Sequence, residues 1–225
     1  MSEDRSIFDR ALQAALAPWA IQLTNDQLAQ MWSHFAAVTE ANTRFNLTRI
    51  TDAAEAAVKH YADSLALIVW ARQQLVPPRT LLDVGTGAGF PAVPLAVVQA
   101  DWQVTAIDST AKKMAFLAEW IAFAGIPNLT ALHARAEHWT DETRFDVITF
   151  RATGTVAKCL AQARNVVAKK GVVVCYKTRE LPTEEVMEAK RTAKALGFRA
   201  EPHFEYHLTC GSETLARQLV VYRQG

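Results

Sequence analysis

Leu81-Leu82-Asp83-Val84-Gly85-Thr86-Gly87-Ala88-Gly89-Phe90-Pro91 joins an apolar run to a carboxylate and then to three glycines at alternate positions. An apolar run that stops at such a turn reads as a β-strand, and proline just after it suits the first turn of a helix. Glycine lacks a Cβ and tolerates positive φ, so the backbone of this turn can press against a ligand at the C-terminal end of the strand. The pattern is Asp-x-Gly-x-Gly-x-Gly and not the dinucleotide fingerprint G-x-G-x-x-G. An acid two residues before the first glycine would be a poor neighbour for a pyrophosphate, which prefers bare N–H groups at a helix N-terminus. It suits the ammonium of a methionine-derived sulfonium cofactor, which has no phosphate.

A second apolar run, Val104-Thr105-Ala106-Ile107-Asp108, ends in an acid about twenty residues after the glycines, where a βαβ unit places a ribose-binding carboxylate. The competing reading of either segment is an ordinary strand-to-helix turn. Together they point to S-adenosylmethionine, with Asp83, Gly85, Gly87, Gly89 and Asp108 as cofactor-binding candidates, and they argue against a dehydrogenase.

Around this unit the chain divides. From about Ser6 to Leu75 the apolar residues Leu12, Leu16, Trp19, Leu28, Met31, Trp32, Phe35 and Val38 recur at helical spacing, which predicts three or four helices. Val76-Pro77-Pro78-Arg79 breaks the pattern, so residues 1–78 are expected to form a helical extension and 79–225 the main domain. Beyond the break, predicted strands at 80–84, 103–107, 129–133, 145–150 and 171–177 alternate with helices, the signature of an α/β fold with a doubly wound, mostly parallel sheet. A helix is expected from Thr183 to Leu196. Runs near Arg199–Tyr206 and Arg217–Tyr222 are expected to add a pair of edge strands, the second antiparallel.

With 225 residues, half of them hydrophobic, the chain has material for a sizeable core. The formal net charge is only +1, so contact with nucleic acid must come from a local basic patch and not from a global field. Cys159, Cys175 and Cys210 lie far apart without C-x-x-C spacing, against both a disulfide framework and a zinc site. The six histidines have no carboxylate or cysteine cluster around them, so no metal is expected. The mixed-charge start Met1-Ser2-Glu3-Asp4-Arg5 and the short apolar runs predict a soluble, cytoplasmic protein without a membrane partner.

Further motifs carry a resemblance. Phe45-Asn46-Leu47-Thr48-Arg49-Ile50, His60 followed by Asp63-Ser64-Leu65, the glycine turn, Asp108-Ser109 with Lys112 and Lys113, Arg135-Ala136-Glu137, Phe145-Asp146 to Arg151-Ala152, Lys177, and Arg217 to Tyr222 closely resemble the RsmG (GidB) family of bacterial small-subunit ribosomal RNA guanine-N7 methyltransferases. The resemblance spans nearly the whole chain and implies a class I, Rossmann-like methyltransferase acting as a monomer on 16S ribosomal RNA or the small ribosomal subunit. It implies that Gly85, Gly87 and Phe90 line the cofactor, that Ala136 and Glu137 border the adenine, and that Arg151 reaches the cofactor. The chain departs from the family's usual Gly, small residue and Gly at Ala92, Phe150 and Thr178, and a bulky Phe150 is expected to narrow the pocket.

Guanine N7 offers an in-plane lone pair and no proton, so in-line attack on a sulfonium methyl needs no general base, and positioning supplies much of the rate. The segment Thr149-Phe150-Arg151 carries neither an Asn-Pro-Pro-Tyr motif for exocyclic amines nor a Pro-Cys nucleophile for pyrimidine rings. Arg151, Arg135 and Lys177 are the catalytic candidates, expected at the C-terminal edge of the sheet. Asn46, His60, Lys112, Lys113, Arg135 and Lys177 are the substrate-binding candidates, with solvated helix faces as the bland alternative for the lysines. Two other functions stay open from residues alone: a methyltransferase for another base or a small molecule, and a non-catalytic module that binds S-adenosylmethionine and RNA.

Overall fold

The structure, a computed structural model, describes residues 3–74 and 78–225; the expected break at Val76-Pro77 and the end of the helical stretch at Leu75 lie outside the described residues. Strands β1 (Thr80–Val84), β2 (Gln103–Asp108), β3 (Leu129–His133), β4 (Phe145–Arg151), β5 (Val167–Thr178), β6 (Phe198–Ala200), β7 (Phe204–Cys210) and β8 (Glu213–Gln224) form one sheet. Its order is β3-β2-β1-β4-β5-β8-β6, with β7 also paired to β8. The first five strands run parallel, and β8 runs antiparallel to β5.

The predicted strands 80–84, 103–107, 129–133, 145–150 and 171–177 are all present, β5 being longer at its start. The C-terminal expectation needs correction. β8 is an interior strand beside β5, and the edge is shared by β6 and β7, which pair with different parts of β8. The run expected from Arg199 to Tyr206 is thus split, and Glu201 to His203 leave the first partner segment before β7 begins.

Strand β1 is buried on both faces, as the centre of a parallel sheet must be. Alternate residues therefore enter different cores: Leu81 joins one apolar cluster and Leu82 the other. The second cluster is closed by α7 (Val156–Ala163) and α8 (Thr183–Leu196). The first is closed by α5 (Ala92–Val98), α6 (Ala111–Ala124) and the N-terminal helices α1 (Glu3–Leu16) and α2 (Asn25–Asn42).

A third N-terminal rod runs through α3 (Ala53–Ala56), a π-helical stretch (Ala57–Ala62) and α4 (Asp63–Ala71). Phe8, Leu12, Met31, Tyr61 and Leu65 are fully buried, and their cluster is continuous with Leu81, Leu95 and Val104. The helical region and the sheet share one core. Helix α2 starts at a capping box, in which Thr24 Oγ1 accepts from Gln27 N and Gln27 Oε1 accepts from Thr24 N. That start sets the helical phase that turns Met31, His34, Phe35 and Val38 inward.

Candidate active site

The turn after β1 is built around its neighbours. Gly85 N and Thr86 N both donate to Ile107 O, at 2.8 and 3.0 Å, which ties the turn to the end of β2. Asp108, also at that end, accepts from Gly87 N (3.1 Å, Oδ2) and from Thr110 N (2.8 Å, Oδ1). Gly85 has φ +74°, and a Cβ there would collide with Thr153 Cγ2 in the loop after β4. Gly87 has φ +61°, and open space lies where its Cβ would be. An adenosine-bearing cofactor fits this arrangement: a bare backbone faces open room, with a ribose-type carboxylate at its side.

Asp83 stands one layer deeper. It is fully buried, with Oδ1 accepting from Thr149 Oγ1 at 2.9 Å and Oδ2 from Ala92 N at 3.3 Å. Burial pushes its carboxyl up to about 6, opposed by those hydrogen bonds and the Arg151 charge. The direct ammonium contact expected of Asp83 is not offered by a side chain with no exposed surface. Its place instead fastens the start of α5 to β1 and puts a carboxylate field beneath the turn.

Strand register brings Arg151 alongside. Val84 pairs with Phe150 and Val84 with Ile107, so Arg151 and Asp108 flank Gly85 from either side. Arg151 Nε donates to Asp63 Oδ2 at 2.9 Å and Nη2 donates to the Lys59 carbonyl. Asp63 is 5% exposed and its Oδ1 accepts from Tyr206 Oη at 2.8 Å. The guanidinium is thus held by the π-helical stretch and the first turn of α4, while Nη1 makes no hydrogen bond among the described residues. π-Helical turns recur at functional sites because the widened turn re-aims main-chain groups.

Phe150 corrects an expectation. It is 2% exposed and packs in the second core with Ile148, Val173 and Leu160, so it does not narrow a pocket. Ala92 is likewise fully buried, and Thr178 is exposed, its Oγ1 donating to Glu180 O.

The other candidates scatter more widely. Lys177 lies at the same sheet edge, but its Nζ donates to Gly154 O at 2.6 Å and to Glu185 Oε1 at 2.7 Å. It braces the loop after β4. Ala136 is fully buried in the short 3₁₀ turn Ala136–His138, while Arg135 and Glu137 are exposed. Glu137 Oε1 accepts from Gln162 Nε2 at 2.7 Å. Lys113 Nζ is 3.9 Å from Asp108 Oδ2, and Lys112 Nζ lies 5.4 Å from the centre of the Phe45 ring. Asn46, next to Phe45, is exposed. The His60 ring stacks on Phe90 with centroids 4.6 Å apart, and its Nε2 meets Thr48 Oγ1 at 2.8 Å. Burial, then the charges of Arg151 and His34, lower His60 to about 3, so its ring is neutral. Among the described residues no group of three His, Cys, Asp or Glu could hold a metal, and no helix is long and apolar enough to cross a membrane.

Sequence reasoning missed His34. The side chain is fully buried, with Nε2 2.8 Å from Ala88 O in the glycine turn and Nδ1 2.8 Å from Tyr61 Oη. A carbonyl can only accept, so Nε2 carries the hydrogen and Nδ1 accepts from the tyrosine. His34 thereby pins the turn to two helices of the extension. The available signal was a lone histidine on the apolar face of α2, between Met31 and Val38.

Burial, partly offset by the Ala88 bond, lowers His34 to about 4 from 6.5. The folded value lies below the unfolded one, so this contribution is complete above pH 6.5 and is lost as pH falls towards 4. The loss is about 3 kcal/mol at about 1.4 kcal/mol per unit. His34→Gln, which keeps a donor and an acceptor, should lose correspondingly less stability than the parent between pH 7 and pH 4 in urea melts. Parallel losses in the two proteins would remove His34 as the titrating group.

Comparison with known proteins follows the same lines. The family model described as rRNA small subunit methyltransferase G (GidB) matches residues 27–209. A "Ribosomal RNA small subunit methyltransferase G" of Lachnoclostridium phytofermentans is 34% identical over 209 residues, 91% of this chain and 84% of that protein. One of Lactococcus lactis subsp. lactis is 32% identical over 206 residues, 89% of this chain and 85% of its own length. Among solved structures, a precorrin-6y C5,15-methyltransferase from Geobacter metallireducens superposes with a TM-score of 0.54 at 12% identity, covering 85% of this chain and 98% of the other. A SAM-dependent methyltransferase from Methanosarcina mazei gives 0.53 at 12% identity, covering 68% and 95%. These two likenesses speak for the fold alone, which is the class I methyltransferase fold.

Proposed function

The chain belongs to the rRNA small subunit methyltransferase G (GidB) family and is an S-adenosylmethionine-dependent methyltransferase of small-subunit ribosomal RNA; we propose that it methylates N7 of a guanine. The observation that carries the choice of atom is Arg151, a guanidinium fixed beside the glycine turn with Nη1 uncommitted. Guanine's Hoogsteen edge presents two acceptors, N7 and O6, whereas adenine presents a donor beside its N7. A fixed cation donating to O6 selects guanine and leaves N7 to attack.

In this reading S-adenosylmethionine supplies an electrophilic methyl on a positively charged sulfur. The remaining work is positional. Asp108 would take the ribose hydroxyls, Gly85 and Gly87 would let the cofactor lie against the main chain, and exposed Glu137 would border the adenine, while Ala136, fully buried in the second core, anchors the short turn that carries Glu137. The Asp83 carboxylate, beneath the turn, favours the cationic half of the cofactor through its field. His60 and Phe90 form a stacked pair that excludes water near the turn, and neutral His60 is not asked to move a proton because N7 has none to lose. Arg135, Lys112, Lys113 and Asn46 supply exposed groups for RNA, while Lys177 acts by bracing the loop after β4. The segment before residue 79 serves as a helical extension that buttresses the catalytic domain of residues 79–225. The chain works as a monomer in the cytoplasm. The test is N7-specific cleavage of the product RNA, which distinguishes a ring nitrogen from an exocyclic amine or a ribose hydroxyl.

A further inference from the structure

A cleft of about 670 Å³ opens at the end of the sheet opposite the glycine turn, where β1, β4 and β5 begin. Its floor is apolar, with Trp70, Val147 and Val172, and its rim carries Arg79, Lys169, Lys170, Arg199 and Arg223. Against these five cations stand two carboxylates, Asp146 and Glu201, so the cleft alone is more positive than the whole chain at +1. Both acids are already committed. Asp146 Oδ2 accepts from the main-chain N–H groups of Arg79 and Thr80, at 2.9 and 3.0 Å. Glu201 Oε1 takes Arg199 and Arg223, each at 2.9 Å. Among the described residues no carboxylate is paired with the side chains of Arg79, Lys169 or Lys170.

The wall is also preformed. Arg223 donates to Glu201, to Lys170 O at 2.8 Å and to Gln74 Oε1 at 3.1 Å, so it fixes the main chain that carries the two lysines. Lys170 itself has φ +63°, a conformation that costs a non-glycine residue free energy and persists only where the surroundings impose it. The cations follow the strand order β1, β5, β8, β6 across the sheet edge, a row of about 20 Å at about 4.8 Å per strand. Such a row is too long for one phosphate and suits successive phosphates of a strand.

We propose that this cleft is a second RNA-contact site, holding phosphodiesters of the same ribosomal RNA whose guanine is methylated at the other end of the sheet. The inference rests on the ribosomal RNA reading above and extends it to a face that takes no part in the chemistry. Lys170 and Lys177 on β5 are about 23 Å apart at about 3.3 Å per residue, so one folded RNA domain can touch both ends. Contacts here would set affinity and orientation, since phosphate contacts position while base contacts specify.

The triple variant Arg79→Ala/Lys169→Ala/Arg199→Ala tests this by RNA binding measured across a salt series. Each lost phosphate contact lowers the slope of log affinity against log salt by about 0.7–0.9. The variant should therefore show a slope smaller by about two units, RNA affinity at least tenfold weaker at low salt, and an S-adenosylmethionine affinity equal to the parent's by calorimetry. The charge-preserving variant Arg79→Lys/Lys169→Arg/Arg199→Lys should restore the slope. An unchanged slope in the alanine variant, with the parent methylating small-subunit RNA, defeats this inference alone. A loss confined to binding of a free nucleoside monophosphate defeats it as well, by making the cleft a small-ligand site. A parent that methylates no ribosomal RNA removes the functional reading and this inference with it.

Discussion

Arg151→Met should destabilise the protein by about 3–5 kcal/mol and abolish methyl transfer, because it strands Asp63 as a buried charge. Asp63 is 5% exposed, and without the guanidinium its only remaining described partner is Tyr206 Oη, at 2.8 Å. The double variant Asp63→Asn/Arg151→Met removes both charges and keeps an acceptor for Tyr206, so most of the stability should return. Methyl transfer should not return, since the group proposed to orient the base is still missing. Denaturant midpoints and single-turnover rates, measured on the same preparations, separate the two effects. If activity recovers together with stability, Arg151 is only a structural ion-pair partner.

The cofactor turn should be equally intolerant at Gly87. Valine there would have to adopt φ near +61°, which costs a β-branched residue about 1–3 kcal/mol, and its methyls would enter the open space over the turn. Calorimetry is expected to show S-adenosylmethionine affinity at least 100-fold weaker. Asp108→Ala should weaken it about 10- to 100-fold, because it removes the acceptor for Gly87 N and Thr110 N along with the proposed ribose contact. Wild-type affinity in both variants would place the cofactor elsewhere.

The parallel half of the fold was readable because its strands are runs rich in apolar and β-forming residues, and β1 and β2 run into an acid or a glycine turn, signals carried by consecutive residues. The fate of β8 was not. Its β-forming residues announce a strand, but nothing local says that it inserts beside β5 and leaves the edge to β6 and β7. The same limit governs the site. Gly85, Gly87 and Asp108 come from one βαβ unit and could be placed together from spacing. The pairs that hold the site rigid, His34 with Ala88 and Asp63 with Arg151, lie 54 and 88 residues apart and exist only once the helical region docks. Strand parity could have placed Phe150: it alternates with Thr149, which hydrogen-bonds Asp83, and shares its face with Ile148 in the second core. Lys177 looked like a phosphate ligand because its partner Glu185 comes from the following helix.

The most direct test is to incubate the protein with labelled S-adenosylmethionine and small ribosomal subunits or their RNA, then reduce the RNA and treat it with aniline. N7 methylation makes the imidazole portion of guanine labile, so the account predicts label in the small-subunit RNA and strand scission at one guanine. RNA made with 7-deazaguanine should take up no label. Label on an exocyclic amine, a ribose hydroxyl or a small molecule, or transfer to the 7-deaza RNA, would contradict it.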